Sequence, residues 1–145
     1  ANLRRLNPVI KGEETGQVFF RFSSGATAIL DANRYNEAES PSPRYTFGEL
    51  RIDAMGGHLT MDTESNLRVK LLGQAAYDVD YPRANVNFAG DCVYSLQRHF
   101  VECMLTGREF DSNGDDYLKT QRVVDAVYES AARDEVIHLE HATEA

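Results

Sequence analysis

A chain of 145 residues with 42% hydrophobic and 26% charged residues has the makeup of one globular domain, long enough to bury roughly 70% of its unfolded surface. Its formal net charge of -8 repels phosphate backbones, and no block of Lys or Arg reverses that field locally, which sets nucleic acid aside as a partner. Apolar runs fall far short of the ~20 residues a bilayer span requires, so the expectation is a single domain over 1–145 with no membrane segment.

The first elements are strands. "QVFFRF" (17–22) puts Val18, Phe20 and Phe22 on one face and Phe19 and Arg21 on the other. "SSGA" then turns the chain and "TAILDAN" (27–33) returns it, which predicts a β-hairpin with Gly25 in the turn. Its exit carries Asn33, Arg34 and Tyr35, a hydrogen-bonding and charged cluster expected to border a cleft and contact substrate. Residues 36–44, "NEAESPSPR", are polar and hold Pro41 and Pro43, so they form a surface loop.

Three alternating segments follow. Leu50, Ile52 and Ala54 alternate with Arg51 and Asp53; Leu59 and Met61 with His58, Thr60 and Asp62; Leu67, Val69 and Leu71 with Arg68 and Lys70. Strict alternation marks an antiparallel sheet covered on one face, since a parallel sheet buried on both faces reads as continuous Val, Ile and Leu. The polar face, carrying Arg51, Asp53, Thr60, Arg68 and Lys70, is expected to serve as a subunit interface. Complementary charges on a broad sheet can be paired with themselves by a twofold axis.

After a spacer, Val93, Leu96, Phe100 and Cys103 to Met104 recur at helical spacing between about Asp91 and Thr106, with Gly107 as the stop. A second helix starts near "SNGDD", where Ser112 or Asn113 caps it and Asp115 and Asp116 complement its dipole. It runs to about Ala132 with an inward stripe of Tyr117, Gln121, Val124, Tyr128 and Ala131. "EVIHL" (135–139) reads as a last short strand. The fold class is therefore α+β: an open-faced, mainly antiparallel sheet with two main helices covering one face and the other face free for oligomerisation.

Familiar chemistry is scarce. The ten glycines form no G-x-G-x-x-G and no phosphate loop, and there is no C-x-x-C or H-E-x-x-H. "DSNGDDYLKTQR" (111–122) departs from a calcium loop at its sixth and twelfth positions, Asp116 and Arg122, and reads instead as a capped helix start. His58, His99, His138 and His141 are scattered without metal spacing, so no metal is expected. Cys92 and Cys103 lie in one predicted helix, roughly 16 Å apart, beyond disulfide reach. They are expected to be reduced, buried thiols in a cytoplasmic protein.

The order of hairpin, loop, "YTFGELRIDAMGGHLTMD", spacer and "FAGDCVYSLQRHFVECMLTGREFDSNGDDYLKTQRVVDAVYESA" resembles the C-terminal domain of the Gfo/Idh/MocA oxidoreductases over nearly the whole chain. The particular echoes are the Gly-Gly before "HLTMD" and the helix "GDDYLKTQRVVDAVYESA", with its acidic start and small-residue finish. The resemblance implies an open-faced antiparallel sheet that forms dimers or tetramers. It also implies a preceding Rossmann domain that binds NAD or NADP and carries a Glu-Lys-Pro motif. Neither that domain nor any Glu-Lys-Pro occurs in these 145 residues. None of the histidines matches the family's His-x-x-Asp pattern, so no catalytic residue is carried over and no cofactor is expected in this chain.

The function expected is a substrate-binding and oligomerisation domain of an NAD(P)-dependent oxidoreductase acting on a sugar, polyol or related hydroxy compound, not catalytic alone. A free-standing non-catalytic small-molecule-binding or scaffold module is the alternative. An independent hydrolase or isomerase would need paired carboxylates converging in a pocket, and the sequence brings no two of Glu49, Asp31 and Asp53 together.

Overall fold

In the computed structural model, residues 1–35, 39–42, 48–84 and 86–139 are described. Much of the 36–44 loop, and His141, lie outside them. The chain divides into two units, Ala1–Asn36 with Asp111–Ala145, and Glu37–Phe110.

The first unit holds a three-stranded antiparallel sheet of β1 (Asn2–Arg4), β2 (Thr15–Arg21) and β3 (Thr27–Asn33), in that order. The expected hairpin is β2–β3, in register with Val18 opposite Leu30 and Phe20 opposite Ala28. Its turn is closed by the Phe22 amide on the Ala26 carbonyl at 2.9 Å, with Gly25 at φ 87. Of the two faces read from the alternation, one has Val18 buried and Phe20 partly covered, with Phe22 exposed at the turn, and the other has Phe19 exposed. β1, absent from the sequence reading, pairs Leu3 with Gly16. A Cβ on Gly16 would stand 2.9 Å from Leu3 Cδ2, so the glycine is what lets Leu3 lie over β2.

Helix α2 of this unit spans Gly114–Arg133. Of the two possible caps, Asn113 is the one used: its side chain accepts the Asp116 amide at 3.0 Å, with Asp115 and Asp116 in the first turn. Packed against β1, the helix keeps Gln121, Val123, Ala126, Val127, Ser130 and Ala131 partly covered, whereas Tyr117 and Tyr128 are exposed. The expected stripe is thus rotated. Small side chains such as Ala126 and Ser130 permit a close approach, which the two tyrosines do not.

The predicted strand at 135–139 does not form. Asp134 turns the chain out of α2 in the left-handed region at φ 55, the Glu135 carbonyl accepts the Ser130 hydroxyl, and no described strand pairs with this segment. Alternation creates a strand only where a free edge is within reach.

The second unit holds a four-stranded antiparallel sheet, β4 (Leu50–Ala54), β5 (Gly57–Met61), β6 (Leu67–Leu71) and β7 (Tyr77–Val79), again in sequence order. The register lines up Leu50, Met61, Leu67 and Val79 across the strands, and beside them Arg51, Thr60, Arg68 and Asp78. One oily and one polar face therefore exist as read. Gly57, at φ 145, sits where a Cβ would fall 2.1 Å from the Lys70 carbonyl oxygen. The β5–β6 turn is built on Asp62, whose Oδ1 accepts the Glu64 and Asn66 amides at 2.9 Å each, and whose Oδ2 accepts Asn66 Nδ2 at 2.8 Å. β7 lies in what the sequence suggested was a spacer.

Helix α1, Cys92–Thr106, follows a 3-10 turn at Phe88–Asp91 and ends on Gly107 at φ 68, close to the expected limits. Cys103 is buried, but Cys92 is exposed, a correction to the expectation of two buried thiols: it sits in the first turn of α1, where Val93 to Arg98 are all exposed as well. Two helices and two open antiparallel sheets make the α+β class read from the sequence.

Candidate functional site

The cluster expected to contact substrate sits at the end of β3 in the first unit. Asn33 ends the strand, and its Oδ1 accepts the Tyr35 amide at 2.9 Å, a side-chain-closed turn that sets the direction of the exit. The Arg34 amide donates to the Glu14 carbonyl at 2.9 Å, extending the ladder one step beyond Thr15 and Asn33. All three side chains are exposed.

Glu14 was missed. It is only 4% exposed, unusual for a carboxylate, and its Oε2 accepts the Leu6 amide at 2.6 Å and the Asn7 amide at 3.0 Å. Those two amides, with smaller help from the Tyr35 hydroxyl and the Arg34 charge, hold its carboxyl below the usual carboxylate range. Partial burial, then the neighbouring Glu14 charge, pushes the Tyr35 phenol up. No sequence signal marks Glu14, because its partners are main-chain groups.

In the second unit the five residues expected at an interface share the polar sheet face. Arg51, Thr60 and Arg68 form one row with Asp78; Asp53 and Lys70 form the next, with His58 between them. Arg51 Nη2 pairs with Asp53 Oδ1 at 2.8 Å, and the hydrogen bond from Arg51 is the main reason the Asp53 carboxyl lies below its ordinary range. Arg68 Nε stands 3.7 Å from Asp78 Oδ1, and Lys70 donates to the Gln74 carbonyl.

At the end of this sheet nearest the Asp62 turn lies an open cleft of about 780 Å³, lined among others by Arg51, Thr60, Asn66, Arg68, Asp78 and Arg83. Arg83 donates to the Glu64 carbonyl at 2.8 Å and to Asn66 Oδ1 at 2.7 Å, and Tyr81 donates to the Ser65 carbonyl. The segment after β7 thus straps the turn.

A third cluster closes the end of α1. The buried Cys103 thiol donates to the Glu109 carbonyl at 3.3 Å and lies 3.6 Å from His99 Nε2, while Arg108 Nη2 approaches His99 Nδ1 at 3.2 Å. Phe100 stacks on Phe110 with ring centroids 5.4 Å apart. The i, i+4 spacing of His99 and Cys103 was available in the sequence and would have found this pair. Its geometry fastens the helix exit.

Among the described residues no three His, Cys, Asp or Glu side chains converge as metal ligands, and no helix is long and apolar enough to cross a membrane. Every described strand pairing is antiparallel, whereas a dinucleotide crevice forms at the carboxyl ends of parallel strands. Among the described residues no parallel strand pair provides such a crevice.

No family model matches the chain. It is 29% identical over 147 residues to a D-apiose dehydrogenase of Rhizobium rhizogenes, covering 96% of this chain and 41% of that protein. To a D-apiose dehydrogenase of Paraburkholderia graminis it is 25% identical over 143 residues, covering 93% and 37%. In structure it matches an oxidoreductase from Agrobacterium radiobacter solved with NAD+, L-tartaric acid and magnesium, at a TM-score of 0.75 and 26% identity, over 92% of this chain and 40% of that one. An aldose-aldose oxidoreductase from Caulobacter crescentus complexed with glycerol matches at 0.69 and 25%, over 89% and 36%. The chain spans about two fifths of the length of these relatives. Its resemblance to the C-terminal domain of the Gfo/Idh/MocA oxidoreductases holds in sequence and in fold.

Proposed function

We propose that this chain is the substrate-side and oligomerisation domain of an NAD(P)-dependent oxidoreductase acting on a sugar, polyol or related hydroxy compound. The observation that carries the reading is the match to two D-apiose dehydrogenases across more than nine tenths of the chain. In this reading the dinucleotide is held by a Rossmann domain elsewhere in the protein. This chain's part is to bind and orient the substrate, with Asn33, Arg34 and Tyr35 contacting it at the β3 exit. Hydroxyl-rich substrates need fixed donors and acceptors more than apolar surface, and the β3 exit supplies both.

The polar face of β4–β7 is assigned to a homodimer or tetramer contact. Arg68 and Asp78, 60% and 75% exposed, gain little from each other in water. A twofold-related copy would offer each a second partner while withdrawing both from solvent. A cytoplasmic location belongs to the same proposal and is supported by the two free thiols. Expressing the longest natural reading frame that encodes this chain, and following NAD(P)H formation with D-apiose and other aldoses, tests the reading. Turnover supports it, and dinucleotide binding without turnover of any sugar or polyol would count against it.

A further inference from the structure

Glu14 is a buried carboxylate whose two oxygens are treated differently. Oε2 is fixed by the Leu6 and Asn7 amides, whereas Oε1 is shut off from solvent and makes no hydrogen bond of regular geometry. A buried acceptor left open favours any donor that can reach it. At the end of the β2–β3 ladder the Arg34 amide donates to the Glu14 carbonyl at 2.9 Å and Tyr35 follows it, so both residues leave the strand beside this carboxylate, and the hydroxyl of one and the charge of the other act on it. Tyr35 is held by its backbone in the Asn33 turn while the residue stays 55% exposed.

We propose that Glu14 is a positioning residue that accepts a hydrogen bond from the Tyr35 hydroxyl and offsets the Arg34 charge, making the β3 exit a subsite for a neutral vicinal diol. A phenol has one O–H to donate; once it is directed at Oε1 in a hydrogen bond, the phenol oxygen can only accept from any further group. It then receives a ligand hydroxyl, and Arg34 donates to the neighbouring ligand oxygen. Without Glu14 the corner would carry an unopposed guanidinium and would favour a sugar acid. The ligand class rests on the proposed function; the positioning of Tyr35 does not.

The test has two arms. In the 145-residue chain with ring-labelled tyrosine, the Tyr35 Cζ resonance, assigned through Tyr35→Phe, is titrated in the wild type and in Glu14→Gln. The Tyr35 midpoint is expected to fall in Glu14→Gln, and an unchanged midpoint overturns the positioning. Should Glu14→Gln fail to fold, Tyr35→Phe serves instead: the Glu14 carboxyl midpoint must then rise, and constancy overturns the proposal. In the second arm, xylitol and xylonate are compared as inhibitors of the full-length oxidoreductase. Glu14→Gln is expected to move the ratio of their affinities toward xylonate by about fivefold, and an unchanged ratio removes the diol subsite. Altered titration in a protein with no oxidoreductase activity would defeat the proposed function and leave the positioning intact.

Discussion

Tyr128 of α2 donates its hydroxyl to Glu13 Oε1 at 2.7 Å, joining positions 115 residues apart in the chain. The bond is the largest cause of the lowered Glu13 pKa. A carboxyl whose folded pKa is depressed contributes stability above its unfolded value and loses it as pH falls through the folded value. Tyr128→Phe is therefore expected to lower stability only slightly near neutrality, because both groups face water. The difference from wild type should vanish in acid. Urea unfolding at neutral and acidic pH checks it.

Gly57 has no room for a side chain: its φ is 145 and a Cβ would meet the Lys70 carbonyl oxygen at 2.1 Å. Gly57→Ala should destabilise the β4–β7 unit by on the order of 2–4 kcal/mol. Gly56→Ala, which meets nothing within 4 Å, should be far milder. Thermal unfolding of the two variants side by side makes the comparison.

At the start of α2, Asn113→Ala removes the acceptor for the Asp116 amide and is expected to cost about 1 kcal/mol. Asn113→Asp, which keeps the acceptor, should recover most of it. Denaturant midpoints of the three proteins decide the point.

The interface assignment predicts charge-dependent self-association. Arg68→Glu sets a second acid beside Asp78 in the polar row and should shift a dimer or tetramer toward monomer in sedimentation, with the wild-type assembly weakening as salt rises. A wild type that stays monomeric at high concentration would remove the assignment.

How much of this was legible in the sequence follows from where each signal resides. β4, β5 and β6 alternate over five residues each, and the hairpin brackets its own turn, so periodicity located them. Helix α1 ended where Gly107 said it would. β1 and β7 have three residues apiece, too few for a period to show, and they are strands because β2 and β6 offer them edges. The 135–139 segment shows the converse: its pattern is right and its edge is missing. Asn33, Arg34 and Tyr35 were found as polar residues leaving a strand. Glu14 was not, since hydrogen bonds to main-chain amides leave no trace in residue types. His58 and Asp78 joined the polar face only once the register was known.

The most direct test of the central claim is the rate of NAD(P)H formation by the full-length protein containing this chain, with D-apiose as substrate, for wild type and Arg34→Ala. The account predicts turnover by the wild type and a raised KM in Arg34→Ala. Identical kinetics in the two proteins would contradict the β3 exit as a substrate wall, and no turnover with D-apiose or any other aldose or polyol would contradict the account as a whole.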